Sequence, residues 1–437
     1  MSARHYQLTR HLVLRPRARA DRLAAENLAQ KTTLELTLDE WHQLAPFGPA
    51  PRALDEGAAA QPESLVSRAI AAKILVTNPE RIDIEMATGQ LRLELGQLLQ
   101  LSTCLPRPEF DEYVRVAAAG RGKFVGLFEL GKTFYAALNR IRFENAVVLL
   151  QPWYIGILQR YIIGLFDHLL AFYAQVNATP QEPYEIDPEL CLDAMRRPPE
   201  DVGLNQLPIM PVSTVARANL VAKVVPQNAR LLVLGDDDLM SLAIGPRRPD
   251  LEIHVAEVDE RLLAVLRAGK ERRKLDNVTF HTVDLRDGLP DEMCEAFDAV
   301  ITDPPYNTGG MTAFIVTARQ AMKRGTAKPA RLLLSTNPDL VVDGPQFFKD
   351  LQENQFMIMR RRRHFNQYPT ILRFLTHELP QFMEMYGYPL KAVKQFLACP
   401  YYYSDLFECF FVEDVRTHAR ISFLSSGTLG GAGLGRR

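Results

Sequence analysis

Five short apolar runs, each ending in a polar turn, punctuate the C-terminal half of the chain: ARLLVLGDDD (229–238), LEIHVAEVDE (251–260), NVTFHTVDLRD (277–287), FDAVITDPPY (297–306) and RLLLSTN (331–337). Runs that are apolar throughout, rather than at alternate positions, belong to strands covered on both faces. Helix-length stretches separate them, so the pattern predicts a doubly wound α/β domain over 201–425 with a parallel sheet. In such a sheet the ligand lies at the carboxyl ends of the strands. The chemistry is therefore expected in the polar turns.

The remaining 200 residues read differently. Residues 1–80 mix short β-like runs (HLVLRP, TTLELTL) with the amphipathic helix-into-strand LVSRAIAAKILV, which fits a winged-helix-like α+β domain used for packing or dimerisation. Residues 81–200 predict a hairpin at Thr88-Gly89, a mostly helical block over 108–178, and a Pro- and acid-rich linker over 177–201. The glycine-rich end, 426–437, has little to bury and predicts a flexible tail.

Whole-chain chemistry narrows the function classes. With 51 Lys+Arg against 52 Asp+Glu in 437 residues, the net charge of −1 supplies no general attraction for polyanions, and nucleic acid is not expected as a partner. Cys104, Cys191, Cys294, Cys399 and Cys409 are widely spaced and form no CxxC pair, which reads as buried thiols in a reducing cytoplasm with no metal site. The stretch 146–174 is strongly apolar, but Gln151, Arg160 and Asp167 interrupt it before a membrane span accumulates. It reads as a buried helix or as the contact surface of a homodimer, with no membrane role.

Four turns carry the candidate site. The first, Gly235-Asp236-Asp237-Asp238, combines a glycine that permits a tight turn with three carboxylates facing the cleft. Three adjacent acids would repel a pyrophosphate. The second turn holds Glu257 and Asp259, and an acid at the second strand end is placed to accept hydrogen bonds from ribose hydroxyls. In the third, Asp284 suits either an exocyclic adenine amine or a helix N-cap. The fourth sends Asp303 into Pro304 and Pro305, whose fixed φ angles stiffen the turn, and then into Tyr306, a π-face for a cation. A D-P-P-Y turn of this kind occurs in enzymes that alkylate amine nitrogens, where the carboxylate and a proline carbonyl hold the amine.

The segments LNQLPIMPVSTVARA (204–218), VLGDDDLMSLAI (233–244), VDERLL (258–263), DLRDGLP (284–290), TDPPYNTGGMTAFIVTA (302–318) and HFNQYP (364–369) occur in that order. The chain thereby resembles the branched-chain polyamine synthases over roughly 200–415. These are aminopropyltransferases with a Rossmann-like, methyltransferase-type fold that act on spermidine with decarboxylated S-adenosylmethionine. The resemblance implies that Asp236, Asp237, Asp238 and Asp303 engage the aminopropyl group and the acceptor amine. It likewise implies Glu257 at the ribose, Asp284 at the adenine, and Tyr306, Asn307, His364, Asn366 and Tyr368 around the acceptor polyamine. The long N-terminal half and the Arg436-Arg437 end depart from that pattern and leave the acceptor open.

Charge favours the same donor independently of family. A carboxylate on the donor about 4 Å from an aspartate costs on the order of 4 kcal/mol at an effective dielectric near 20. Intact S-adenosylmethionine carries one; the decarboxylated form presents only an ammonium and a sulfonium. Two alternatives stay open at this point: an S-adenosylmethionine-dependent N-methyltransferase or aminocarboxypropyltransferase acting on a nucleobase or peptide amine, and a ligand-sensing DNA- or peptide-binding protein. The one dense basic run, Arg360–Arg363, reads as a solvated strand face whose alternate members pair with the acidic turns. The aromatic group Tyr401, Tyr402, Tyr403, Phe407, Phe410 and Phe411 reads first as core.

Overall fold

The computed structural model describes residues 4–30, 32–54, 63–77, 183–305, 308–326, 329–336, 344–369 and 401–412. The hairpin at Thr88-Gly89, the helical block, the apolar stretch 146–174, Tyr306, Asn307 and the tail 426–437 lie outside them.

Two three-stranded sheets make up the N-terminal residues. Strand β1 (Arg4–Leu8) lies between β5 (Arg52–Leu54) and β6 (Leu75–Val76), while β2 (Leu12–Pro16), β3 (Arg22–Asn27) and β4 (Thr32–Thr37) form an antiparallel meander. Helix α1 (Leu38–Leu44) begins at a capping box in which Thr37 Oγ1 accepts from the Glu40 N–H and Glu40 Oε2 accepts from the Thr37 N–H. Helix α2 (Leu65–Ala71) leads into β6, and Leu8, Leu12, Leu23, Leu36 and Trp41 are buried.

Residues 183–201, expected to finish a linker, are instead built into the fold. Tyr184 accepts through its carbonyl from Gln7 Nε2 at 2.8 Å and donates its hydroxyl to the Leu8 carbonyl at 2.8 Å, and the Ile186 N–H donates to Gly48 at 2.8 Å. Asp187 then caps helix α3 (Pro188–Met195), with a proline in its first turn where a missing N–H costs nothing. The acids that made this stretch look solvated are neutralised by arginines further along. Glu185 pairs with Arg247 at 2.5 Å, and buried Asp193 pairs with Arg272 at 2.5 Å and Arg273 at 3.0 Å.

The C-terminal sheet runs in the order β12-β13-β11-β10-β7-β8-β9: β7 (Arg230–Leu234), β8 (Glu252–Glu257), β9 (Val278–Thr282), β10 (Ala299–Thr302), β11 (Arg331–Thr336), β12 (Phe356–Pro369) and β13 (Tyr401–Phe411). Strands β7 to β11 are mutually parallel, and β13 and β12 add an antiparallel edge. All five parallel strands occupy the apolar runs from which they were expected. Helices α4 (Pro211–Val224), α5 (Met240–Ile244) and α6 (Glu260–Arg273) cover one face, where Val215, Leu242 and Leu263 meet Leu231 and Val233. Helices α7 (Thr308–Ala321) and α8 (Gly344–Glu353) cover the other, where Ile315 and Phe347 meet Leu232 and Leu234. The fold is doubly wound, as expected.

Strand order reverses between β7 and β10, since the chain proceeds from β7 outward through β8 and β9 and then returns to the far side of β7. That reversal opens a crevice at the carboxyl ends of β7 and β10, the place where open α/β sheets bind ligands. The end of β12 is pulled toward the same crevice: Met210 donates to the Gln367 carbonyl at 2.7 Å, and Gln367 donates its N–H to Ser213 Oγ at 3.0 Å. Among the described residues no helix is long and apolar enough to cross a membrane.

Removal of Asp193 leaves Arg196, Arg272 and Arg273 around an emptied buried position. Asp193→Ala is expected to lower stability by about 3 kcal/mol, the usual cost of breaking one side of a buried ion pair. Urea unfolding measures it, and an unchanged midpoint would contradict the structural role given to 183–195.

Candidate active site

The turn after β7 begins at Gly235, whose φ of +70° lies in the left-handed region that favours glycine. Three consecutive aspartates cannot all point one way, and here each takes a separate task. Asp236 turns inward: it is fully buried and accepts from the Met240 N–H at 2.5 Å and from Ser241 Oγ at 2.5 Å, closing the start of α5. Expected as a catalytic and donor-binding residue, Asp236 is a brace of the turn. Leu239, at φ +58°, absorbs the strain of the entry into α5.

Asp238 is also withdrawn from the cleft. Its Oδ1 accepts from the Ile209 N–H at 2.7 Å and its Oδ2 from Arg217 Nη1 at 2.5 Å. Asp237 alone of the three is half-exposed. Its Oδ2 accepts from the Leu207 N–H at 3.1 Å, and its carbonyl accepts from Arg197 Nη1 at 2.7 Å.

At the end of β8, Glu257 holds the turn from the other side. Oε2 accepts from the Asp236 N–H, and Oε1 from the N–H groups of Val258 and Asp259, all at 2.9 Å. These three bonds leave one acceptor position, on Oε2, unused among the described residues. Asp259, expected as a nucleoside contact, instead caps α6 through the Arg261 N–H and accepts from Gln206 Nε2 at 2.9 Å. The bond from the Arg261 side chain holds its carboxyl down at about 2. Asp284, at the end of β9, starts no helix; it closes a turn on the Arg286 N–H at 3.0 Å, and the Arg286 side chain holds it at about 2.

Asp303 follows β10, between a buried strand and buried Pro304, with its side chain 12% exposed. Its Oδ2 accepts from Arg217 Nη2 at 2.5 Å and from the Tyr368 hydroxyl at 2.5 Å. Arg217 is the residue that sequence reading missed. Within α4 its guanidinium reaches Asp238, Asp303 and, through Nε, Asn366 Oδ1 at 2.6 Å. A lone arginine inside the apolar helix PVSTVARANLVAKV was the available signal. Asn366 and Tyr368, expected to touch the acceptor, are themselves buried behind Asp303. Asn366 Nδ2 donates to Ser404 Oγ at 2.9 Å, which lies 2.9 Å from the Tyr368 hydroxyl. His364, at φ +52°, is held by Asp405 through its N–H at 2.8 Å and packs edge-on to Tyr403.

Proton affinities in this group follow from burial and from the acids' mutual repulsion. Burial pushes the Asp236 carboxyl up to about 8, with Glu257 adding to it. Burial, with Asp238 and Asp303 close by, holds Asp237 well above the ordinary carboxylate range, while Arg197 opposes. Asp303 is pushed up to about 6 by burial against the pull of Arg217. Burial works against the charge of Arg217, but Asp303 and Asp238 outweigh it and lift its pKa. Four carboxyl groups (Asp237, Asp238, Glu257 and Asp303) thus gather around two guanidinium groups, those of Arg197 and Arg217, and the acids outnumber these cations.

The arginine tetrad contributes nothing here. Arg361 pairs with Asp405 at 2.5 Å and Arg362 with Glu408 at 2.7 Å, both on β13. Adjacent rather than alternate members pair, and register shifts at Ile358/Arg360 and Arg362/Asn366 flank them. Tyr403, Phe407 and Phe411 are buried, as core residues should be. Among the described residues no group of three or more His, Cys, Asp or Glu could hold a metal ion.

An isosteric Asp236→Asn isolates the effect of burial. Folded Asp236 keeps its proton from about pH 4, where an unfolded carboxyl loses it, up to about 8. Wild-type stability attributable to this group therefore falls as pH rises through that window. The melting temperature of the variant relative to wild type should climb from pH 4 to pH 8 and level off above; a flat difference would refute it.

Comparison with known proteins gives this geometry a relative. The sequence model of the branched-chain polyamine synthase A C-terminal domain matches residues 189–385. N(4)-bis(aminopropyl)spermidine synthase of Thermococcus kodakarensis is 30% identical over 180 residues, 41% of this chain and 51% of that one. The protein of the same name from Methanocaldococcus jannaschii is 38% identical over 96 residues, 22% of this chain and 27% of that one. This chain thus spans about half the length, or less, of these curated relatives. The crystal structure of the Thermus thermophilus branched-chain polyamine synthase, in complex with N4-aminopropylspermidine and 5'-methylthioadenosine, is 24% identical with a TM-score of 0.41, covering 51% of this chain and 63% of that one. Over residues 189–385 the chain is similar to the branched-chain polyamine synthases.

Proposed function

We propose that this protein transfers the aminopropyl group of decarboxylated S-adenosylmethionine to an amine of spermidine or a related polyamine, releasing methylthioadenosine. The observation that carries the reading is the excess of carboxyl groups over guanidinium groups at the strand-order reversal, where Asp237 and Asp303 stand above the ordinary carboxylate range. Such carboxylates lose part of the cost of ionising when a cation arrives. The names of the relatives support it.

Both substrates are cationic, and the acids divide between them. Glu257 offers its remaining lone pair to the ribose, and Asp284 offers its exposed edge to the adenine amine. Asp237 draws the donor's ammonium. Asp303 and the Pro304 carbonyl hold the incoming amine, with Tyr306 and Asn307 next to them in sequence. The neutral nitrogen attacks the carbon next to the sulfonium; the new C–N bond forms as the C–S bond breaks, and the electron pair leaves on sulfur.

An alkylammonium titrates near 10, so the acceptor must surrender a proton before attack. A carboxyl near 6 takes it more readily than one near 4, which suits Asp303 to the task. In-line alignment of nitrogen, carbon and sulfur supplies the larger share of the rate. The repulsion that favours the decarboxylated donor also sets this reading apart from methyl or aminocarboxypropyl transfer.

Incubation with decarboxylated S-adenosylmethionine and spermidine should release methylthioadenosine in step with an alkylated polyamine, identified by mass spectrometry. Intact S-adenosylmethionine should give none. Asp303→Asn, which keeps shape and removes charge, should cut kcat by about 100-fold or more and change donor affinity less than about threefold. No turnover with any linear polyamine would refute the activity; equal losses in both constants would reduce Asp303 to a structural residue.

A further inference from the structure

We propose that Arg217 is a positioning residue for the transfer reaction, fixing Asp303 against the donor turn so that the carboxylate is aimed across the crevice. The inference rests on the aminopropyl-transfer reading for its kinetic test and on geometry alone for its spectroscopic one.

Three donors of one planar guanidinium meet three separate segments: Asp238 in the turn after β7, Asp303 after β10, and Asn366 near the end of β12. The side chain is 1% exposed, so it reaches ligand only through the groups it holds. A lysine ammonium has the charge without the rigid fork and cannot satisfy all three at these distances.

Hydrogen-bond direction shows what the arrangement favours. Asn366 donates to Ser404, so the Ser404 hydroxyl is free to donate to the Tyr368 oxygen, and Tyr368 donates to Asp303. Arg217 closes the ring by donating at both ends, to Asn366 and to Asp303. Every donor in the ring points toward an ionised Asp303. The charged and titratable groups that bear on this carboxylate are Arg217 from α4, Asp237 and Asp238 from the turn after β7, and Tyr368 from β12. Among the described residues Arg217 is the cation in direct contact with it; the other three repel its charge or are neutral.

A purely structural triad could be replaced by well-packed apolar residues with little loss. Here replacement would also free Asp303 to rotate and raise its affinity for a proton. Those two effects reach both kcat and the pH profile, and loss of a brace alone would leave the pH profile in place.

The test compares wild type, Arg217→Lys and Arg217→Gln with decarboxylated S-adenosylmethionine and spermidine. For Arg217→Lys we expect kcat to fall by about 100-fold, donor KM to change less than about threefold, and the acid limb of the kcat profile to move to higher pH. A lowered kcat with an unmoved acid limb would overturn the proposal in favour of a structural brace. Independently of turnover, aspartate labelled with carbon-13 at the carboxyl allows the Asp303 resonance, identified by its loss in Asp303→Asn, to be titrated in the free protein. Its midpoint should lie near 6 in wild type and higher in Arg217→Lys and higher still in Arg217→Gln. An unmoved midpoint in Arg217→Lys overturns the proposal even if Arg217→Gln does not fold. A wild type that titrates as expected yet releases no methylthioadenosine would instead refute the activity.

Discussion

A guanidinium taken wholly out of water is stable only if each of its three nitrogens finds an acceptor, and that requirement organises the centre of this protein. Arg217 meets it with two carboxylates and one amide drawn from three distant parts of the chain. Each partner is then committed in return: Asp238 gives up the crevice, Asn366 is buried, and Asp303 keeps only part of its surface open. Because loss of one side of a buried ion pair is far costlier than the pair is beneficial, the arrangement holds as a whole.

The run of three aspartates illustrates how one kind of side chain acquires different chemistry from backbone direction alone. A tight turn rotates successive side chains apart, so one enters the core, one faces the ligand space and one meets the arginine. Only the middle carboxylate, with Asp303 opposite, is left to meet a cation. On the proposed reading those two meet the cationic groups, and the other acids set the field in which they work.

The fold was largely legible because buried parallel strands carry the strongest local signal there is: uninterrupted apolar runs bounded by turns. Asp303 and the GDDD turn were legible as well, since strand ends are where such sheets place their ligands. What failed was any inference about direction. Nothing local distinguishes Asp236 from Asp237, or tells that Asp259 will cap a helix, because those outcomes depend on N–H groups placed by other segments. Arg217 was hidden for a related reason. A single arginine in an apolar helix declares that something must neutralise it, but its partners lie 21, 86 and 149 residues away. The acids of 183–201 misled in the opposite sense, reading as solvated because their arginines were far off in sequence.

The two strands at the antiparallel edge give the centre an order of completion. Synthesis delivers Arg217, Asp238 and Asp303 first, while Asn366, Tyr368 and Ser404 arrive only with the last strands to join the sheet. A partly made chain can thus carry Arg217 and the turn acids and still lack the residues that surround Asp303. The buried centre is therefore complete only once the last two strands have joined the sheet.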